Sequence, residues 1–340
     1  MKFITRRLAL LLIATLTAPI TAFNVAAHDK HHGYSHEKGW LKPAEGQKHI
    51  GQSHGEIAVS KNGDIYVSVM GKQGGIQVFS PQGKYLRNLP KAPWDIHALV
   101  IKQEGDKEFI YAPTMFSYKI LKMDLQGNKV LEIDALKTIP ERYHNEITVH
   151  KNWTDKRKLR LSGIAVADSG EMYIVDGYGR DFIHQFDGKG NYLTTFAGKG
   201  KPWKFSNCHK IAIDPRYTPK RLLCTDRNND RLVHMQLDGT LIGDYATDLR
   251  KPSAVAFYKD KLAVAEIRGR VSILDINGKI VNTIGTNDNA KQIGHDRTAP
   301  KDWQDGIFTS PHGIAFDAKG NLLITEYSKW GRVLKFNVKS

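Results

Sequence analysis

Gly163-Ile164-Ala165-Val166, then Asp168-Ser169-Gly170, then Met172-Tyr173-Ile174-Val175-Asp176: two short apolar runs joined by a turn that carries glycine. Valine, isoleucine and tyrosine suit a pleated, half-buried surface, and Asp-Ser-Gly is turn chemistry, so the phrase reads as a β-hairpin. A third strand, Ile183-His184-Gln185-Phe186, follows a variable loop, and a fourth ends near Ala197. The same unit recurs along the chain, opening at His54, His97, Ser162, His209, Ser253 and His312 with spacings of 43, 65, 47, 44 and 59 residues. Four strands per unit and a period in the forties indicate propeller blades rather than a helical solenoid. The sequence therefore predicts an all-β chain, a six-bladed β-propeller. The last unit lacks an outer strand. The segment before His54 is placed to supply it and close the ring, which would otherwise expose strand edges.

A chain of 340 residues can bury such a core as one domain. The propeller is expected to span residues 51–340, preceded by a His-rich segment at 28–50. Residues 1–27 have the pattern of a signal peptide. Lys2, Arg6 and Arg7 precede an apolar run over residues 8–16, and Val25-Ala26-Ala27 offers small residues for cleavage. That run is too short to span a bilayer, and no later stretch is long and apolar enough. The general secretory route is favoured over a twin-arginine one, which places the mature protein in the periplasm or outside the cell, with no membrane span and as a monomer. His28, His31, His32 and His36 then read as a flexible tail that binds metal adventitiously.

The formal net charge of +15 suits carboxylates, phosphates or a polyanion surface as partners. Nucleic acid is not expected, because no recognition module is present. Cys208 and Cys224 would lie on neighbouring strands of one unit. Either a disulfide or a diagonal, unbridged pair is compatible with that placement. There is no nucleotide-binding loop, no Gly-x-Ser-x-Gly elbow and no paired zinc-binding cysteines. Two insertions, residues 136–160 with Trp153 and residues 286–308 with His295, Asp296, Arg297 and Trp303, are expected to roof one mouth of the channel.

The unit openings carry the chemistry. His97, His209 and His312 fall on alternate blades, about 120° apart in a ring of six, so their imidazoles can converge on the axis. Three such ligands with a fourth position open suit Zn²⁺ or a similar divalent ion. A single histidine there would merely fill the channel; three in register favour a metal. His54 occupies the same slot of blade one and breaks the alternation, as a supporting group, a substrate contact or a channel filler. In Asp176-Gly177-Tyr178-Gly179-Arg180 the glycines permit a sharp turn that presents Tyr178, whose phenol beside a cation can act as a base. Arg227 holds the equivalent position in Cys224-Thr225-Asp226-Arg227-Asn228. Its guanidinium either clamps a substrate carboxylate or pairs with Asp226 or a neighbouring turn.

These phrases resemble the NHL-repeat propellers and, within them, the peptidyl-α-hydroxyglycine α-amidating lyases. The similarity runs from about His54 to Phe336 and rests on Asp176-Gly177-Tyr178, Asp226-Arg227-Asn228 and Pro311-His312-Gly313. His97 and His209 fit the remaining metal positions. The resemblance implies a catalytic zinc on His97, His209 and His312, with Tyr178 as base and Arg227 gripping the substrate. Ser310 stands where the animal lyases carry methionine. Gly313 replaces an aspartate that helps hold a structural calcium, so calcium is not implied. His234 occupies one position of the family's fourth-blade disulfide, and the family's other arginine, which precedes the first blade, is not placed. The resulting expectation is an exported metal-dependent lyase that cleaves a small α-hydroxy carboxylate to a carbonyl product such as glyoxylate. The competing expectations are a non-catalytic propeller that binds a partner protein or polyanion around a structural metal, and a hydrolase using a metal-bound water.

Overall fold

The computed structural model describes residues 33–71, 74–149, 151–152 and 154–339. The expected signal peptide at residues 1–27, His28, His31, His32 and Trp153 lie outside the described residues. Six four-stranded antiparallel sheets form the blades. Their inner strands are Ile57–Val59, Val100–Glu104, Gly163–Val166, Cys208–Asp214, Pro252–Tyr258 and Pro311–Phe316. In the sixth blade the outer strand is Tyr34–His36, paired antiparallel with Arg332–Val338. The segment before His54 thus closes the ring, and its Trp40 is buried in the apolar cluster between the sixth and first blades. His36 belongs to this strand, packed 5.3 Å from the Phe336 ring, and not to a flexible tail. The physical reason is the unpaired edge of the Arg332–Val338 strand, which Tyr34–His36 satisfies.

Alternating apolar residues on both faces of each blade meet those of its neighbours. One apolar cluster lies between each adjacent pair of blades, including sixth against first, where Ala315 and Leu323 pack on Ile57, Val67 and Phe79. The core is therefore a closed ring of six interfaces. Each interface needs its neighbours, so the loops at the ends of the inner strands are held on a rigid frame. No helix among the described residues is long and apolar enough to cross a membrane.

Cys208 and Cys224 are disulfide-bonded, with Cα atoms 5.7 Å apart. Cys208 is registered opposite Asp226 and Cys224 opposite Ile211, and a register shift between Cys208 and Ile211 brings the diagonal pair together. A bridge of this kind belongs to an oxidising compartment.

A histidine cluster and an unpaired arginine at the channel mouth

Backbone irregularity aims the unit openings inward. Pairing shifts at Cys208/Ile211, Pro252/Ala254 and Pro311/Gly313 put His209, Ser253 and His312 on bulged strands. A bulge adds one residue and re-aims the side chain it carries. His97 precedes its inner strand, next to the isolated Ile96–Thr114 bridge.

The three histidines on alternate blades are oriented in the same way. His97 Nδ1 is 2.8 Å from the Ser162 carbonyl, His209 Nδ1 is 2.7 Å from that of Ser253, and His312 Nδ1 is 3.1 Å from that of Gly55. Each acceptor belongs to the next blade around the ring. A carbonyl only accepts, so Nδ1 carries the proton and Nε2 holds a lone pair in all three rings. Metal-binding imidazoles commonly make this bond, because it sets tautomer and ring direction together. The ring centroids are 5.0, 5.0 and 4.8 Å apart. Burial keeps the rings neutral: it pushes His97 down to about 3 and holds His209 and His312 well below the usual imidazole range. His312 Nε2 is buried without a hydrogen-bond partner.

His54 joins this cluster rather than standing apart from it. Its ring lies 4.9 Å from His97 and 4.8 Å from His312. Ring nitrogens of His54, His97 and His312 fall within 4.8 Å of one another, close enough to hold a metal ion. The His54 ring also packs against Tyr327, with centroids 4.3 Å apart and the planes tilted by 35°.

Tyr178 reaches into the centre of the cluster. Its Oη is 2.8 Å from His209 Nε2 and 3.3 Å from Nε2 of both His97 and His54. Burial raises its pKa, and the Arg227 charge opposes that rise. The flanking glycines are required by close approach, not by left-handed backbone. A Cβ on Gly177 would meet the Cys208 carbonyl at 2.1 Å, and one on Gly179 would meet an Asp176 carboxylate oxygen at 2.1 Å. Asp176 holds the turn by accepting from the Arg160 and Arg180 N–H groups and from Asn145. Asp226, Glu266 and Glu326 do the same for later blades through the N–H groups of Ser206, Arg250 and Thr309.

Arg227 opens a short turn, Arg227–Asn229, beside Tyr178. Its Nη1 is 3.5 Å from the phenol oxygen, while Nε and Nη2 are buried with no partner. It does not pair with Asp226, whose carboxylate is taken by Ser206 N–H, Asn229 and Arg231. A buried guanidinium without an acid is costly, and an incoming carboxylate would satisfy it through two parallel bonds.

Both insertions reach this mouth. Arg160 Nη1 donates to the Tyr178 carbonyl at 2.8 Å, and His295 exchanges hydrogen bonds with the Ser310 hydroxyl. Sequence reasoning missed Trp94 and Phe116, stacked at 5.5 Å and exposed by 52 and 37%. Arg157 lies beside the Phe116 ring at 5.9 Å. The available signal was Pro93-Trp94-Asp95 directly upstream of His97. Beside Gly313, the Glu56 carboxylate accepts from the Ile314 N–H at 3.0 Å and from the Lys210 ammonium, so an ion pair fills that part of the channel.

No family model matches the chain. Among solved structures, a streptogramin B lyase is similar with a TM-score of 0.59 at 16% identity, over 92% of this chain and 100% of the other. Virginiamycin B lyase from Staphylococcus aureus gives 0.55 at 14% identity, over 86% and 98%. A protein of unknown function from Bacteroides thetaiotaomicron gives 0.59 at 13% identity, over 85% and 70%. At these identities the likeness establishes the six-bladed fold.

Proposed function

We propose that this chain is an exported lyase that uses a divalent metal, zinc or a similar ion, to cleave a small α-hydroxy carboxylate of the α-hydroxyglycine type. The observation that carries this reading is the buried guanidinium of Arg227, whose Nε and Nη2 have no partner and which faces no acid, next to a phenol ringed by imidazole Nε2 atoms. His97, His209 and His312 would hold the ion, since each is pre-set by a bond from Nδ1 to the following blade. Bound there, the ion would supply Lewis acidity that makes a substrate hydroxyl easier to ionise. Arg227 grips the carboxylate and fixes the substrate against Tyr178. With its own proton first lost to solvent, the Tyr178 phenolate takes the hydroxyl proton, the freed electron pair forms the carbonyl, and the C–N bond breaks. Nitrogen leaves with that bond's electrons and takes a proton from water at the mouth, and the hydroxide so formed takes the proton from Tyr178 and restores the phenolate. Glyoxylate and an amide would be the products. The lyase names of two structural neighbours are compatible with this reaction class.

The test combines metal analysis of the purified protein with an assay of glyoxylate release from an α-hydroxyglycine peptide. Metal-dependent release that disappears in Tyr178→Phe supports the lyase. A His209→Ala protein that loses its metal but keeps its fold and a protein or polyanion partner would instead establish a binding module.

A further inference from the structure

The channel has a second compartment at its other end. Four residues beyond each unit opening stand Ala58, Ile101, Val166, Ile213, Phe257 and Phe316, one from every blade and all apolar. All six line one concavity of about 360 Å³. At a rise of roughly 3.3 Å per residue, this ring lies about 13 Å along the strands from the histidine ring. Between the two lies the buried Lys210–Glu56 ion pair, which reaches across the axis from blade four to blade one. None of the four clustered histidines lines this lower funnel, and Lys210 of the ion pair stands at its inner end.

The two ends of this funnel differ in chemistry. Its wall is aliphatic and aromatic, and most of the six side chains remain partly exposed. At its rim Lys102 and Lys220 both contact the Asp168 carboxylate, Lys102 at 2.5 Å, which leaves a net positive charge and spare ammonium protons. The volume equals that of about twelve waters at ~30 Å³ each, within reach of one small ligand and far below that of a protein segment. An apolar wall favours release of that water to a chain of methylenes.

From the apolar ring, the ion-paired inner end and the basic rim, we infer that the lower funnel binds one free aliphatic monocarboxylate. The alkyl chain lies on the six-residue wall, and the carboxylate sits at Lys102 and Lys220. This site is separate from the metal-binding reading and does not rest on it. Arg227, on the far side of the Lys210–Glu56 pair, takes no part.

Decanoate below its micellar concentration is the probe, titrated calorimetrically into the whole mature chain, with and without chelator. One saturable site per chain is expected, unchanged by chelator and by Arg227→Gln. Lys102→Glu with Lys220→Glu should weaken it at least 10-fold, and decanol should bind more weakly than decanoate. Ile213→Asp should abolish binding. If that buried-edge variant fails to fold, the surface double variant alone decides. Absence of a saturable site overturns the inference, as does binding that the lysine variants leave intact or that Arg227→Gln removes. Capture by anionic phospholipid vesicles without binding of free decanoate also overturns it.

Discussion

Tyr178 Oη lies 2.8 Å from His209 Nε2, closer than to either of the other two imidazoles it touches. Nε2 of His209 is the acceptor, because its Nδ1–H is already given to Ser253. The phenol is thus held as a proton donor at the point where the proposed reaction needs a base. An ion on the imidazoles would take that lone pair and free the phenol. Tyr178→Phe should therefore retain metal, having lost no ligand. It should lose turnover by about 10²–10⁴-fold, the usual worth of a positioned base. Metal stoichiometry and kcat measured together check this; full turnover in the variant would remove Tyr178 from the reaction.

Four imidazoles are available for the three ligand positions of the proposed metal site, and the bond to the following blade separates them. His209→Ala should lower metal affinity at least about 100-fold, beyond the 10–100-fold cost of removing a mere supporting group. His54→Ala should keep a full equivalent, with its loss felt through the Tyr327 contact. Competitive chelator titration distinguishes them. The reverse order would assign the ion to His54, His97 and His312, the set whose ring nitrogens lie within 4.8 Å of one another.

Arg227 carries two predictions of opposite sign. Arg227→Gln removes a charge-assisted grip worth ~1.5–3 kcal/mol, so KM should rise about 10–100-fold, with a smaller change in kcat. The same change removes a buried charge with unpaired donors, so the ligand-free protein should become more stable. A raised KM with a raised Tm is expected; a lowered Tm would mean that the guanidinium has a partner inside the fold.

The blade count, ring closure and three of the four clustered histidines were legible because a propeller repeats. One slot in each unit faces the axis, and any residue type recurring there is visible as a pattern. Tyr178 and Arg227 were found by the same logic at the second-strand turn. His54 was visible but uninterpretable, since its role depends on a ring contact with Tyr327 on another blade. The disulfide was undecidable because it depends on a bulge between Cys208 and Ile211, which no pattern of apolar residues reports. Trp94 and Phe116 escaped because each is single, outside the repeat, and meets its partner only across the turn that Asp95 ties down.

Acid should destabilise the metal-free protein, and the sign follows from which state holds more protons. Burial pushes His97 and His184 down to about 3. It also holds His54, His209 and His312 well below the ordinary value. Between about pH 3 and 6.5 the unfolded chain therefore binds more protons at these rings, and stability rises with pH through that window. Burial pushes Asp176 and Asp181 up to about 6, so the folded state binds more protons at those two between about pH 4 and 6, which opposes the histidines. From pH 7 to pH 5 His97 and His184 each cost about 2 kcal/mol and Asp176 and Asp181 each return about 1 kcal/mol, and the other three rings act in the same direction as the first two, so the histidines outweigh the two carboxyls. Urea unfolding after chelator treatment should show a lower midpoint at pH 5 than at pH 7. Saturating metal should steepen the slope, because protons then compete with the ion for the same lone pairs. A midpoint that stays level or rises on acidification would mean that the rings are already protonated in the folded protein, and protonated rings bind no metal.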